Sequence, residues 1–168
     1  VSKCSQTGRD RAAFNNIKVY AADPWHEVAA GTLAMLQVIA MDGGDTLIPG
    51  ATYLTALPMP LVQGTEVAST SLPLDFTLGM TIIPRGLVGE WANIIHVSAT
   101  GNNCCNYGDR IPAIWFYANT YRLHIRDGST SEGNAGCDPA EQLVVDQPTN
   151  LRVEIRGFYV SIYFDDTM

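Results

Sequence analysis

The sequence predicts an all-β protein, two antiparallel sheets packed into a sandwich. Three observations carry this. Short runs of alternating polarity, rich in β-branched and aromatic residues, dominate over helical periods. Clusters of Gly, Pro, Asn and Asp separate those runs, as at residues 42–45, 100–103 and 127–139. In the last third of the chain the alternation is strict, which marks antiparallel sheet packed on one side. With 168 residues, 46% of them hydrophobic and 16% charged, the chain suits one core and is no disordered tail.

Residues 1–21 read as a loop carrying Cys4 and then a strand at 16–21 that holds Ile17 and Val19, with Phe14 just before it. Asp23-Pro24 follows, an N-cap residue and a first-position proline that suit one helical turn. The apolar stretch 29–41 is about 13 residues long, where a bilayer crossing needs about 20. It is therefore expected to be a strand, 32–41, and no membrane span is expected. A short strand at 53–56 precedes a Pro-, Ser- and Thr-containing segment at 57–71. Strands follow at 76–84, 93–98, 111–117 and 121–126. Asp138-Pro139 repeats the cap pattern, with Glu141 at the capping-box spacing, and 143–145 is a further short strand. The last strands, 151–156 and 159–164, are joined by Arg156-Gly157-Phe158 and form a hairpin.

The alternation also assigns faces. Tyr121, Leu123 and Ile125 alternate with Arg122, His124 and Arg126; Leu151, Val153 and Ile155 alternate with Arg152, Glu154 and Arg156. Phe158, Val160, Ile162 and Phe164 alternate with Tyr159, Ser161 and Tyr163. The core is expected at Phe76, Leu78, Ile94 or Ile95, Leu123, Ile125, Val153, Ile155, Val160 and Ile162. The polar sides, with Arg122, His124, Arg126, Arg152, Arg156, Tyr159 and Tyr163, form either a solvated ladder of cross-strand pairs or a glycan- or subunit-binding face.

Net charge is −7, from 10 basic and 17 acidic residues, which argues against nucleic acid as a partner. The four cysteines, Cys4, Cys104, Cys105 and Cys137, lack zinc-site spacing and read as disulfides of an oxidising, extracellular or cell-surface setting. A bridge between adjacent residues is strained and rare. One of Cys104 and Cys105 is therefore expected to reach Cys137 and the other Cys4, within the chain or between copies.

Three segments carry a family likeness. Gly89-Glu90-Trp91-Ala92-Asn93-Ile94-Ile95-His96, then Gly108-Asp109-Arg110-Ile111-Pro112-Ala113-Ile114-Trp115-Phe116, then Tyr121-Arg122-Leu123-His124 resemble consecutive strands of a laminin-G-like module, one of the concanavalin A-like lectin/glucanase jelly rolls. The resemblance covers the chain from about Phe76 onward. It implies two curved antiparallel sheets and, commonly, glycan or protein binding. The element order departs from that family. A closing strand is wanted after 159–164, and the strand of that kind stands at the start instead. The chain thus divides into an N-terminal arm and linking strand, 1–25, and a sandwich, 26–168.

This order predicts a structural subunit that assembles head-to-tail into a fibre or surface appendage, by donating its N-terminal strand or by tandem repetition. Phe14, Ile17, Val19 and Trp25 would fill a neighbour's groove beside its 159–164 strand. A self-closing permuted domain is the competing arrangement. The alternative function is a soluble laminin-G-like glycan-binding or adhesion module, with Trp91, Trp115, Tyr117, Tyr159 and Tyr163 stacking on sugar rings and Arg122 and His124 binding acids. No enzyme is expected: the jelly-roll glucanase pattern Glu-x-Asp-x-x-Glu is absent, and His26, His96 and His124 lie apart. No cofactor is expected either. Asp127, Glu132 and Asp138 supply hard oxygens in one region and are the calcium candidates, without a strict calcium signature.

Overall fold

The computed structural model describes residues 2–5, 14–29, 31–40, 52–53, 59–73 and 75–165. These form thirteen strands and, among the described residues, no helix. In chain order they are β1 (Ser2–Ser5), β2 (Phe14–Tyr20), β3 (Leu33–Ala40), β4 (Thr52–Tyr53), β5 (Met59–Pro60), β6 (Glu66–Leu72), β7 (Phe76–Ile83), β8 (Ala92–Ser98), β9 (Ala113–Phe116), β10 (Leu123–Asp127), β11 (Ala135–Cys137), β12 (Thr149–Arg156) and β13 (Tyr159–Phe164).

The strands make two antiparallel sheets. A seven-stranded sheet runs β1-β13-β12-β7-β3-β4, with β5 also on β3; a six-stranded sheet runs β11-β10-β9-β8-β2-β6. Period-two alternation places their apolar sides against each other. Leu78, Met80 and Ile82 of β7, Leu151, Val153 and Ile155 of β12 and Val160 and Ile162 of β13 meet Ile17, Val19, Ile94, Ile114, Phe116, Leu123 and Ile125 in one buried cluster. Every residue expected in the core is buried, including both Ile94 and Ile95. Each such side chain contributes up to about 1.5–3 kcal/mol by leaving water.

The hairpin is as expected: Arg156 pairs with Tyr159, and Gly157 turns the chain at φ +52°. Phe158 corrects the expected face. It sits in the turn itself and is 43% exposed, because the alternation does not extend through the two turn residues. Residues 143–145 are not a strand; Leu143 is buried while Val144 and Val145 are exposed. Of the expected strand at 53–56, only Tyr53 lies within the described residues. The Ser/Thr-containing segment holds β5 and β6, which the alternation did not announce.

Neither Asp-Pro site starts a helix. Asp23 does act as a local cap, its Oδ1 accepting the N–H groups of Trp25 at 3.0 Å and His26 at 2.9 Å, but no helical turn follows. Asp138 turns its carboxylate to side chains of neighbouring strands instead.

The N-terminal segment is built into the same two sheets. β2 lies between β8 and β6, with Ile17 and Val19 fully buried in the chain's own core and Phe14 packed against its margin. Ile17 and Val19 thus complete the core of the chain itself. β1 takes the place beside β13, with Ser2 opposite Ile162 and Ser5 opposite Tyr159.

All four cysteines are oxidised, but the pairing differs from the one expected. Cys4 is joined to Cys137, and Cys104 to Cys105. The first bridge ties β1, at the edge of one sheet, to β11, at the edge of the other. That edge-to-edge meeting brings Cys4 to Cys137 directly, with a Cα–Cα distance of 5.6 Å, and leaves neither for the 100–110 loop.

Candidate functional site

The inward side chains of β9 and β10 fill the core, so their alternates must face outward. These are Trp115, His124 and Arg126, and register sets them side by side: His124 is opposite Trp115, and Trp115 is opposite Asn93 of β8. Farther along β8, His96 is opposite Tyr20 of β2. The outer side of the six-stranded sheet therefore carries a band of rings. His96 lies 6.0 Å from Trp115, and Trp115 lies 5.8 Å from His124. Trp91 covers the end of the band, 4.4 Å from His124 and 4.5 Å from Tyr117.

Three buried or half-buried carboxylates anchor the loops around this band. Asp23 is fully buried and accepts Nδ1–H of His26 and of His96, each at 2.9 Å. Its own N–H donates to Asn93 Oδ1 at 2.8 Å, while Asn93 Nδ2 donates to the carbonyls of Ile95 and Ile114. Burial alone would raise the Asp23 carboxyl; the hydrogen bonds from His26 and His96 outweigh it and hold the group well below the usual carboxylate range. His96 also donates through Nε2 to the Asp109 carbonyl at 2.8 Å, so the loop at 23–26 and the loop before β9 hang on one imidazole.

Asp109 organises that second loop by accepting from the Thr100 hydroxyl at 2.5 Å and the Asn106 N–H at 2.8 Å. These bonds lower its pKa against the opposing effect of burial. Asp138 gathers the third corner. Arg126 grips it through two nitrogens at 2.8 and 3.2 Å, Tyr117 donates its hydroxyl at 3.0 Å, and His124 Nδ1 lies at 2.9 Å. Burial opposes ionisation here too, and the bond from Arg126 is the largest of the effects that keep Asp138 below its ordinary value. The Arg126 side chain crosses Gly136 of β11, where any Cβ would collide with the guanidinium. His124 is pushed down to about 4, by burial first and by the Arg126 charge second, so its ring is neutral at neutral pH.

Between these corners lies a cleft of about 150 Å³, lined by His26, Trp91, Arg110, Trp115 and His124. Arg110 stands over the Trp115 ring, its guanidinium 4.7 Å from the centroid. Its Nε–H donates to the Asn103 carbonyl at 2.8 Å, and its Nη groups donate to Asn134 Oδ1 at 2.9 Å and Asn103 Oδ1 at 3.4 Å. Among the described residues the cleft thus offers aromatic faces, a neutral imidazole and one permanent cation, with no carboxylate on its lining.

The structure separates the expected polar face into two. Arg122, His124 and Arg126 belong to the six-stranded sheet, whereas Arg152, Arg156, Tyr159 and Tyr163 belong to the other. On that second sheet Arg152 stacks on Tyr163 at 3.8 Å and pairs with Glu154 at 2.7 Å, and Tyr163 donates to Glu154 at 3.2 Å. It is a face of cross-strand pairs, with Tyr159 exposed at its margin. Arg122 bonds the Pro139 carbonyl at 2.8 Å and stays beside Tyr117, outside the cleft.

Trp25 is 40% exposed in the chain and lies 5.3 Å from His96. The calcium candidates do not converge. Asp127 is buried and accepts from Ser129, and Asp138 is held by Arg126; no group of three or more His, Cys, Asp or Glu among the described residues is arranged to hold a metal. Asp23, His26, His96 and Arg110 are not among the binding residues expected from the sequence. Their only local signal is Asp23 with His26 three residues on, which reads equally as a helix cap.

Compared with protein-family models, curated proteins and solved structures, the chain matches none.

Proposed function

We propose that the chain is a non-catalytic, extracellular binding module of the concanavalin A-like jelly-roll type, and that its ligand is a sugar ring seated in the Trp91–Trp115 cleft. The cleft carries this reading: two indoles and a neutral imidazole flank a space of about 150 Å³, edged by hydrogen-bond donors. Flat aromatic faces suit the C–H faces of a pyranose, and convergent polar groups fix its orientation. The volume lies below the ~300–1,000 Å³ of drug-sized pockets, so one ring or a chain end is the matching ligand. Asp23 and Asp138 stand beside the cleft as anchors, each saturated by cationic or N–H partners, which suits binding rather than acid–base chemistry. The disulfides support the extracellular assignment.

Titration with simple methyl glycosides, followed by tryptophan fluorescence, tests the proposal. Binding by at least one of them is expected. Trp91→Ala should weaken it at least about tenfold, about 1.4 kcal/mol. The fold should survive, because Trp91 is already 36% exposed. A panel that leaves the signal unchanged at millimolar concentration would count against a sugar site.

One observation favours assembly as a second reading. β1 pairs antiparallel with β13 as the second arm of a hairpin would, so β1 of another copy fits the same edge. Cys4 would then meet the neighbour's Cys137, and the staple would become intermolecular. This reading predicts a ladder of covalent oligomers on a non-reducing gel, collapsing on reduction. A single monomer band at every concentration rejects it.

A further inference from the structure

Resting on the sugar-cleft reading, we infer that the ligand is an acidic sugar whose carboxylate is taken by Arg110. Arg110 carries five N–H donors, and three are matched to oxygens of Asn103 and Asn134. One N–H on each Nη is left to donate to an anion.

The partners of Arg110 are neutral amide oxygens, and no carboxylate lies in salt-bridge range of it among the described residues. The acids near the cleft are engaged elsewhere: Asp23 by two histidines, Asp109 by Thr100 and Asn106, Asp138 by Arg126. A protein of net charge −7 thus keeps on the lining of its cleft a half-buried cation that no described carboxylate contacts, the Asp23 and Asp109 charges acting on it from farther away.

Trp115 lines the cleft beneath the Arg110 guanidinium, and its Nε1–H, buried without an acceptor, is a reporter of any change at that wall. His26 adds a second donor or acceptor: its Nδ1 faces Asp23, and no described residue pairs with its Nε2. The guanidinium stands over the Trp115 ring and is held by three hydrogen bonds, so it is positioned before the ligand arrives. His124, neutral and packed on Trp91, completes the wall without a competing charge.

The test uses D-glucuronate, D-glucose and acetate as probes. The readouts are calorimetry and the ¹⁵N–¹H signals of Arg110 Nε and Trp115 Nε1. Glucuronate is expected to bind at least tenfold more tightly than glucose at low salt and to shift both signals. Added salt should erode that preference. Arg110→Gln should abolish it. Arg110→Lys keeps the cation, removes the fork, and should retain under a tenth of the glucuronate affinity; it carries the test should R110Q fail to fold. Equal binding of glucose and glucuronate, both lost in W91A, overturns the acidic-sugar inference and leaves the sugar cleft standing. Acetate that shifts both signals while neither sugar competes supports the carboxylate site and rejects the sugar. No shift with any probe overturns both.

Discussion

Replacing Cys4 and Cys137 together by serine is expected to lower the melting temperature by about 10–20 °C. The bridge spans a sequence separation of 133, and closing so long a loop removes about 5 kcal/mol of chain entropy from the unfolded state. A domain of this size loses roughly 2–4 °C per kcal/mol. The position of the bridge adds to the effect. It joins β1, with four residues, to β11, with three, and each is the outermost strand of its sheet. Without the staple, both edges fray and expose unpaired backbone. Cys137 also directly precedes Asp138, so fraying of β11 loosens the Arg126 grip at the cleft. Reduction of the parent protein should reproduce the shift seen by thermal circular dichroism. The Cys104–Cys105 bridge encloses almost no chain, and its removal by serine should cost far less. A drop below about 3 °C for the Cys4/Cys137 variant would mean that the edges hold without their staple.

The parts of the fold legible in the sequence are those whose physics is local. β10 and β12 alternate buried with less buried residues, and β13 continues the apolar side, so alternation alone assigns Leu123, Ile125, Val153, Ile155 and Ile162. β1, β6 and β11 escaped notice because all three are sheet edges. An edge strand pairs on one side only and needs little apolar content, so Ser2–Ser5 and Glu66–Leu72 carry no hydrophobic stripe. The disulfide pairing was hidden for the same reason: without β1 and β11 nothing shows that Cys4 and Cys137 share a corner.

The candidate site divides along the same line. Trp91, Trp115, Tyr117 and His124 stand out as aromatic or titratable residues on or near strands. Arg110, Asp23, His26 and His96 do not, because their meaning lies in contacts over long separations. Asp23 and His96 are 73 positions apart, and each residue of the pair has a bland reading alone. The expectation that the three histidines lie apart holds for the sequence only. In space, His26 and His96 share one carboxylate, and both approach the ring of Trp115.

That shared carboxylate makes Asp23→Asn the most damaging single change expected near the cleft. The substitution keeps shape and one acceptor oxygen while removing the charge. His96 is fully buried, and its Nδ1 then faces an amide where it faced a carboxylate. Breaking a buried pair from one side costs about 3–5 kcal/mol, because the remaining partner keeps its desolvation penalty. The sign of the pH dependence follows from the direction of the shift. The Asp23 carboxyl is depressed in the folded protein, so its contribution is fully present above the unfolded value of about 3.9. It is lost only as the pH falls toward the folded value. Urea unfolding of parent and D23N should therefore show a gap that is present at pH 7 and at pH 5 and that narrows below about pH 4. A gap under 1 kcal/mol at pH 7, or one unchanged at pH 3, would remove Asp23 from its place as the anchor. D23N should also weaken sugar binding although Asp23 is no part of the cleft lining: His26 leaves its position against Trp115, where the rings now meet at 5.5 Å, and the wall opposite Trp91 opens.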